Sequence, residues 1–373
     1  MAGSKETKKR YQDLGCYFRF TETCLDIYKY KMVYFSAIAN CCSYTLAGIG
    51  LVAYGFRTGF EKFCLDYGLL VIMMVVYNCH ITICLIYHKK WKAMRQQFVA
   101  GFSWNLDNFA PSYRMEILRI SSGNEESTKL VGLATALITI SIQVDFYSSI
   151  KEIILYFGIP EHFIPIILVG IYTHIVYMSL SSVMATYYIF YFLWLIRIQQ
   201  VVLRSMADKF RSNILLNRSD NFVEDALKSI IKSHQTIIRC FRLVKNESHV
   251  LRLGTSISMF LCLGFFVFLV TSPFHTSMQG QVGFISVHIF IFYLSHEGQN
   301  VDDENEQFHM LLYEFNWYAW NTKNCKIFAI FFMNTAEMAK EQGSALFQVN
   351  HEYFMKTARM AYALLNLLRT TTN

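Results

Sequence analysis

Proline and charge are both scarce in this chain. Its 373 residues include only 4 prolines, and Asp, Glu, Lys and Arg together make up 16 % of them. The few prolines show no paired breaks of the kind that a secondary transporter would have, and so little charge argues against a soluble domain. Apolar residues fill the sequence instead, since 54 % are hydrophobic and 16 % are aromatic. This composition is typical of a protein that crosses a membrane several times.

Several functional signatures are missing as well. The 10 cysteines form no CxxC pair and no Cys/His zinc spacing, so we expect no metal site and no cofactor. The sequence has no Gly-rich phosphate loop, no HExxH and no GxSxG, which argues against an enzyme. A net charge of +7 could suggest nucleic acid. The basic residues lie between apolar runs, however, so we interpret them as a topology signal and expect no nucleic-acid partner.

Seven stretches have the composition of candidate membrane spans. They are Met32–Tyr54, Tyr67–Tyr87, Leu130–Ile150, Ile167–Leu195, Gly254–Ser272, Val282–Ser295 and Glu352–Thr370. The sixth is short and rich in Phe and Ile, and it is free to extend in either direction. The sequence therefore predicts an all-α membrane protein with a bundle of seven transmembrane helices.

Lys and Arg are distributed unevenly among the segments that connect these spans. Most precede span one or follow spans two, four and six, whereas the opposite connections hold only Arg57, Lys62 and Lys151. The positive-inside rule then places the N-terminus in the cytoplasm. An odd number of spans places the C-terminus outside the cell, which is the reverse of a G-protein-coupled receptor.

The cytoplasmic connections are long. Between spans four and five, apolar residues recur with helical periodicity on both sides of turn residues 217–221. We predict two helices there, which continue spans four and five into the cytoplasm. The predicted plan is a tail with spans one to four (1–195), an intracellular helical extension (196–253), spans five and six (254–295), intracellular anchor helices (296–351) and the last span (352–373).

The last span divides into two faces. Charged and amide groups are costly in lipid, so its polar stripe should face protein or a water-filled cavity. The alternative is a stripe that only hydrogen-bonds to neighbouring helices. The stripe is Lys356, Arg359, Ala363, Asn366 and Thr370, and the other face holds Phe354, Ala358, Ala361, Leu365 and Leu368.

The chain from Phe292 to its end resembles the insect odorant receptor family. An acidic stretch, a Tyr-x-x-x-Trp segment, an amphipathic helix, a polar break and a last helix follow one another as in that family. The last helix carries Ala361-Tyr362 where the family usually has Ser-Tyr. The family's shared co-receptor has a longer insertion between spans four and five, so this chain resembles a ligand-tuned subunit. The matching segments are HEGQNVDDENEQ, LLYEFNWYAWNTK, KIFAIFFMNTAE and VNHEYFMKTARMAYALLNLLRT.

The resemblance implies an odorant receptor subunit of a tetrameric, ligand-gated, non-selective cation channel. Such a subunit assembles with the odorant co-receptor in the plasma membrane of a sensory neuron dendrite, contacts membrane lipid and binds a small volatile organic ligand. Four last helices surround the pore, and the intracellular helices hold the subunits together. A gustatory-type receptor channel and a G-protein-coupled receptor are alternatives. A secondary transporter is a third, although the prolines show no paired broken helices.

The resemblance also implies an apolar constriction of the pore in the last helix. Leu365 is the matching residue, and Leu368 lies one turn beyond it. An apolar ring can stop ions by dewetting. Asn366 lies beside it and could touch hydrated ions. Leu365 is about 100° from the stripe that holds Asn366, so both cannot face one pore axis directly. Ordinary packing is the alternative role for Leu365.

The family's odorant pocket lies among the outer halves of spans two, three, four and six. Aromatic and Met side chains offer a small volatile apolar area with adaptable packing, and His288 or Tyr177 could orient it. Plain core packing is the alternative for each position. The candidates are Met73, Met74, Tyr77, Ile142, Phe146, Tyr172, Tyr177, Met178, Phe284, His288 and Ile291.

Two clusters follow span six. We interpret the acidic one as a solvated helix start, where the helix dipole favours carboxylates. We interpret the aromatic one, which falls mostly on one helical face, as a subunit contact within the anchor, because Trp and Tyr are common at interfaces. The clusters are Asp302, Asp303, Glu304 and Glu306, and then Tyr313, Trp317, Tyr318 and Trp320.

Overall fold

The computed structural model describes the larger part of the chain. It covers 31–58, 109–143, 158–214, 219–247, 278–345 and 351–372, together with 151, 154–156, 264 and scattered positions between 71 and 96. All regular structure in these ranges is helical. The prediction of an all-α chain is therefore confirmed where the structure describes it.

The longer helices are numbered here in chain order. They are α1 (Lys31–Thr58), α2 (Pro111–Gln143), α3 (Ile164–Ile214), α4 (Asp220–Glu247), α5 (Met278–Tyr313), α6 (Thr322–Ala345) and α7 (His351–Thr372). Two short 3-10 turns, Glu161–Phe163 and Trp317–Ala319, precede α3 and α6. Helical positions between 71 and 96 overlap the predicted second span.

Several helices extend well beyond the predicted spans. α2 begins at Pro111 rather than Leu130. α3 has 51 residues and continues into the polar stretch after the fourth span. α5 has 36 residues and extends the short sixth span in both directions. The predicted fifth span, apart from Gly264, lies outside the described residues.

Judged on the described residues alone, none of the helices is sufficiently long and apolar to cross a membrane.

Glycine and proline set the start of α3. Gly158 has a φ of 71°, a left-handed conformation that suits the end of a helical turn. Its N–H donates to the carbonyl oxygen of Leu155 at 3.0 Å. Pro160 precedes the 3-10 turn, and Pro165 lies in the first turn of α3, where the missing N–H has no intrahelical partner to lose. The chain therefore turns sharply before the helix, and no proline interrupts α3 afterwards.

α3 and α5 are the two helices against which most of the others pack. α3 contacts α2, α4 and α5, and α5 in turn contacts α2, α6 and α7. Beyond the predicted fourth span, the ends of α3 and α5 join α4 and α6 in an aromatic-rich cluster that we call the anchor core. Its buried members are Leu203, Ala207, Phe210, Ile214, Val223, Leu227, Ile230, Ile237, Phe308, Leu312, Phe315, Phe328 and Phe331.

Aromatic rings link the four elements of the anchor core. The ring centroid of Phe210 lies 5.4 Å from that of Phe315 and 5.8 Å from that of Trp320. Phe315 in turn stacks on Phe328 at 5.7 Å. Each such pair contributes about 0.5–1.5 kcal/mol beyond the area it buries. The anchor core is therefore held by side chains from well-separated parts of the chain.

α4 has one apolar face against the anchor core, and His234 lies on that face. Its ring stacks on Phe308 at 5.7 Å and meets Phe331 edge-on at 5.3 Å. Burial lowers the pKa of His234 to about 4, because a charged imidazole would lose its hydration among these rings. At neutral pH, His234 is an uncharged part of the core.

We expect the anchor core to lose stability on acidification. Unfolded His234 takes up a proton near its ordinary pKa of about 6.5, whereas the folded residue does so only near pH 4. The stabilisation is therefore complete above about pH 6.5, falls as the pH drops toward 4, and amounts to roughly 3 kcal/mol. Thermal unfolding of the detergent-purified protein between pH 7.5 and 4.5 measures it.

His234→Phe should flatten this pH dependence, since phenylalanine keeps the ring contacts without the proton. His162→Phe is the matched control, because His162 is exposed, and it should keep the wild-type slope. Equal slopes for wild type and His234→Phe would contradict the assignment.

Candidate functional site

The last helix, α7, is exposed along one half of its surface. The exposed positions span about 180° of the helix, and every predicted stripe residue whose side chain is described lies among them. Tyr362 is 67 % exposed. Lys356 Nζ pairs with Glu352 Oε1 at 2.7 Å. The exposed positions are His351, Glu352, Met355, Lys356, Arg359, Met360, Tyr362, Ala363 and Asn366.

The other half of α7 packs against α5. Phe354 meets Phe292 edge-on, with ring centroids 5.5 Å apart. Tyr353, Thr357 and Ala358 are only partly exposed. α7 is therefore two-sided over its first turns, with one half against α5 and the other uncovered by the described chain.

Among the predicted pore residues, Asn366 has a described side chain, and it is exposed. Leu365 and Leu368 lie on α7, but their side chains are outside the described residues. Helical register places both leucines on the half that holds Phe354. Asn366 thus shares a face with the polar stripe, while the two leucines occupy register positions on the other half.

Five charged side chains meet where α2, α3 and α5 pack together. This charged junction consists of Glu116, Arg197, Arg204, Glu297 and Glu304. Arg204 pairs with Glu116, and its Nη1 lies 3.2 Å from Glu304 Oε2. Arg197 lies 3.8 Å from both Glu297 and Glu304. Since Glu304 is only 4 % exposed and Arg204 only 9 %, water screens these pairs weakly.

Polar neighbours hold the charged junction in place. Trp194 Nε1 donates a hydrogen bond to Glu297 Oε2 at 3.0 Å. Arg204 also donates to the side chain of Gln307, and its guanidinium lies 5.7 Å from the ring centroid of Tyr113. Buried charges require such additional partners, because ion pairing alone rarely offsets the loss of hydration.

The pKa shifts agree with this arrangement. Burial raises the pKa of Glu304, and Arg204 and Arg197 oppose that rise. Burial alone would lower the pKa of Arg204, but Glu116 and Glu304 outweigh it and the pKa is raised. Arg204 therefore keeps its charge and depends on the two glutamates as counter-ions.

The acidic cluster is not a solvated helix start, so that interpretation is wrong. All four of its residues lie within α5, and Glu304 is buried between two arginines of α3. Burial and the neighbouring Asp303 raise the pKa of Asp302 to about 6. The stretch can continue as helix because its counter-charges come from α3.

Sequence reasoning missed the charged junction, although a signal was present. Arg197 and Arg204 are seven residues apart on α3, and Glu297 and Glu304 are seven apart on α5. Residues seven apart return to nearly the same helix face. Two matching pairs of opposite charge therefore indicate that α3 and α5 contact each other along those faces.

The structure describes only part of the predicted odorant pocket. Met74 and Ile291 are buried, and His288 is half-buried. Met73, Tyr77 and Phe146 lie outside the described residues. For the remaining candidates only the helix is described and not the side chain, namely Ile142, Tyr172, Tyr177, Met178 and Phe284.

The aromatic cluster does not share a helical face, so that part of the prediction is wrong. α5 ends at Tyr313, and Trp317 begins a 3-10 turn. The turn allows both Phe315 and Trp320 to pack against Phe210 in the anchor core. Trp320 is therefore half-buried, whereas Tyr313 and Trp317 are exposed.

Comparison with known proteins gives a consistent result. A family model described as 7tm Odorant receptor matches residues 68–362. This chain is similar in structure to the insect olfactory receptor OR5 from Machilis hrabei in complex with eugenol, with a TM-score of 0.67 and 12 % sequence identity. The alignment covers 91 % of this chain and 88 % of that chain. A second structure of that receptor gives 0.61 at 12 % identity, covering 90 % and 87 %. No curated protein sequence gives a significant match.

These matches first define a class, because the fold is that of the insect olfactory receptors. The family model spans well over half of the sequence, so the chain belongs to the 7tm odorant receptor family. It is accordingly a transmembrane receptor of olfaction, and the family resemblance of the segment from Phe292 onward is confirmed.

We expect Arg204→Met to destabilise the protein strongly. The change removes the arginine that pairs with Glu116 and leaves the buried Glu304 with only the more distant Arg197. Removing one partner of a buried pair costs about 3–5 kcal/mol. Arg211→Met is the matched control, since Arg211 lies two turns on in α3 and pairs with the exposed Glu314, so it should cost about 1 kcal/mol or less.

Thermal unfolding in detergent compares the two variants. Adding Glu304→Gln to Arg204→Met should recover part of the loss, because it removes a buried carboxylate that has lost its closer counter-ion. Equal losses for Arg204→Met and Arg211→Met would show that the charged junction does not stabilise the fold.

Proposed function

We propose that this chain is an odorant-tuned subunit of a tetrameric, ligand-gated, non-selective cation channel. It assembles with the odorant co-receptor in the plasma membrane of a sensory neuron and opens when a small volatile binds. Membership of the odorant receptor family supports this proposal.

The observation that carries the proposal is the two-sided α7. Tyr362, Met360 and Asn366 are exposed on a helix whose opposite half contacts α5. A mixed polar and aromatic face of this kind needs water or further protein against it. Four copies of such a face around one axis would enclose a water-filled path, and Glu352 would partly offset the positive charge of Lys356.

We also propose an orientation of the chain across the membrane. The distribution of Lys and Arg supports a cytoplasmic N-terminus and an extracellular C-terminus. The charged junction and the anchor core then lie on the cytoplasmic side. An epitope tag after Asn373 that antibodies reach only after the cells are permeabilised would contradict this orientation.

The exposed anchor aromatics fit contact between subunits. Tyr313 and Tyr318 are each more than two-thirds exposed, as is Met333 of α6. Large apolar side chains of this kind are common in protein interfaces. We assign Tyr313 and Trp317 to the subunit contact and Trp320 to the core beneath it.

Asn366→Asp tests the pore. We expect the receptor–co-receptor channel to become more permeable to Ca²⁺ relative to Na⁺, because an added carboxylate attracts divalent cations by on the order of 1 kcal/mol in a wet pore. Leu365→Ala should raise the current without odorant if Leu365 narrows the closed pore. Both are read from whole-cell currents and reversal potentials.

Asn334→Asp makes the same chemical change at an exposed position of α6, and it should leave selectivity unchanged. Unaltered leak in Leu365→Ala together with unaltered selectivity in Asn366→Asp would remove both residues from the pore.

We place the odorant among the predicted pocket residues in the outer bundle. Two of them, Met74 and Ile291, are buried, and the half-buried His288 supplies a polar group one turn before Ile291. Apolar surface with a few placed polar groups is the usual composition of a small-molecule site. His288 would orient a ligand that carries a hydrogen-bonding oxygen.

His288→Ala should change the rank order of responses across an odorant panel, with about a tenfold loss for oxygen-bearing ligands, which corresponds to one hydrogen bond of about 1.4 kcal/mol. Ile285→Ala is the control, because Ile285 lies on the same helix and is exposed. A uniform fall for all ligands, in step with surface expression, would assign His288 to packing instead.

A further inference from the structure

Two histidines face each other where α5 meets the start of α7. The ring centroids of His296 and His351 are 5.9 Å apart, and the planes of the rings are inclined by 47°. Phe292 lies beside both, at 6.3 Å from His296 and 6.2 Å from His351. Both imidazoles are exposed. Within the described part of the chain they make ring contacts rather than hydrogen bonds, which leaves their nitrogens open to another ligand.

The separation of the rings suits one metal ion between them. Zinc binds imidazole nitrogen at about 2.0–2.1 Å. Such an ion lies roughly 3.2 Å from the centroid of each ring, so two bound rings are about 5.2 Å apart at a tetrahedral angle and at most about 6.4 Å apart. The observed 5.9 Å lies within this interval.

We propose that His296 and His351 form a site for a divalent metal of the zinc type, which joins α5 to the start of α7. Imidazole suits Zn²⁺, Ni²⁺ and Cu²⁺. With two protein ligands, water fills the remaining positions, so the site is open and exchanges its metal, unlike a closed four-ligand structural site.

The site would act on α7. A bound ion stabilises whichever conformation keeps the two rings close, so it holds the start of α7 against α5. If α7 lines the pore, as we propose above, the ion should reduce the odorant-evoked current by opposing movement of that helix. This last step rests on the proposed function, whereas metal binding does not.

Binding is tested first, on the detergent-purified full-length chain carrying a tag that contains no histidine. Calorimetric titration with Zn²⁺ alone should show a site that His296→Ala and His351→Ala each weaken at least tenfold. His162→Ala should bind like wild type, since His162 is an exposed histidine on a different segment. Identical isotherms for wild type and both site variants would overturn the proposal.

The double variant His296→Cys/His351→Cys tests the geometry independently, in case the alanine variants lose metal binding only because they fail to fold. Cysteine pairs select softer ions, so this variant should bind Cd²⁺ more tightly than wild type does. Failure of a folded double variant to gain Cd²⁺ binding would also count against the geometry.

Inside-out patches then test the effect on the current. Zn²⁺ at the cytoplasmic face should reduce the odorant-evoked current of wild type and leave that of His351→Ala unchanged. Zinc binding without any change in current would overturn the link to α7 while the site itself stands. Odorant-evoked current recorded without zinc tests the channel proposal separately.

Discussion

The buried pairing of Arg204 and Arg197 with Glu304, Glu297 and Glu116 is the constraint on which the arrangement of the described helices depends. These residues come from α2, α3 and α5, so one network fixes three helices relative to one another. Exchanging the network for apolar residues could keep or raise stability. A sliding of α5 along α3, however, would separate all three of the pairs that join these two helices. The network therefore specifies the register of α5 on α3 more than it adds net stability.

Periodicity and composition predicted much of the fold, because the pattern that identifies each helix lies within the helix's own sequence. Helical periodicity after the fourth span predicted that its helix continues beyond the membrane, and α3 does continue there. The short sixth span was left free to extend, and α5 extends it in both directions. The same patterns could not predict which polar or aromatic side chains are buried by residues from distant parts of the chain. Glu304 has the composition of a solvated residue, and only the packing of α3 against α5 brings arginines to it. Trp320 was likewise assigned to a surface, because nothing nearby in sequence announces Phe210 as its neighbour.

The candidate pore shows the same division between local and distant information. The polar stripe on α7 followed from spacing alone, and its described members are exposed in the structure. The leucines taken from family resemblance occupy the other half of the helix by register. Spacing identifies which residues share a face, but it cannot say which face turns toward a symmetry axis, because that depends on copies of the chain. The two histidines were overlooked for a related reason, since their closeness exists only once α5 and α7 are packed together.

The uninterrupted course of α3 has a mechanical consequence. At 51 residues and about 1.5 Å per residue, the helix is about 75 Å long, and its far end is embedded among the rings of the anchor core. A stiff rod of that length works as a lever. If it pivots near one end by about 3°, the other end sweeps through roughly 4 Å, given that length. If an odorant binds beside the first turns of α3, as we propose, a slight shift there would displace the last turns of the helix by nearly the width of a side chain.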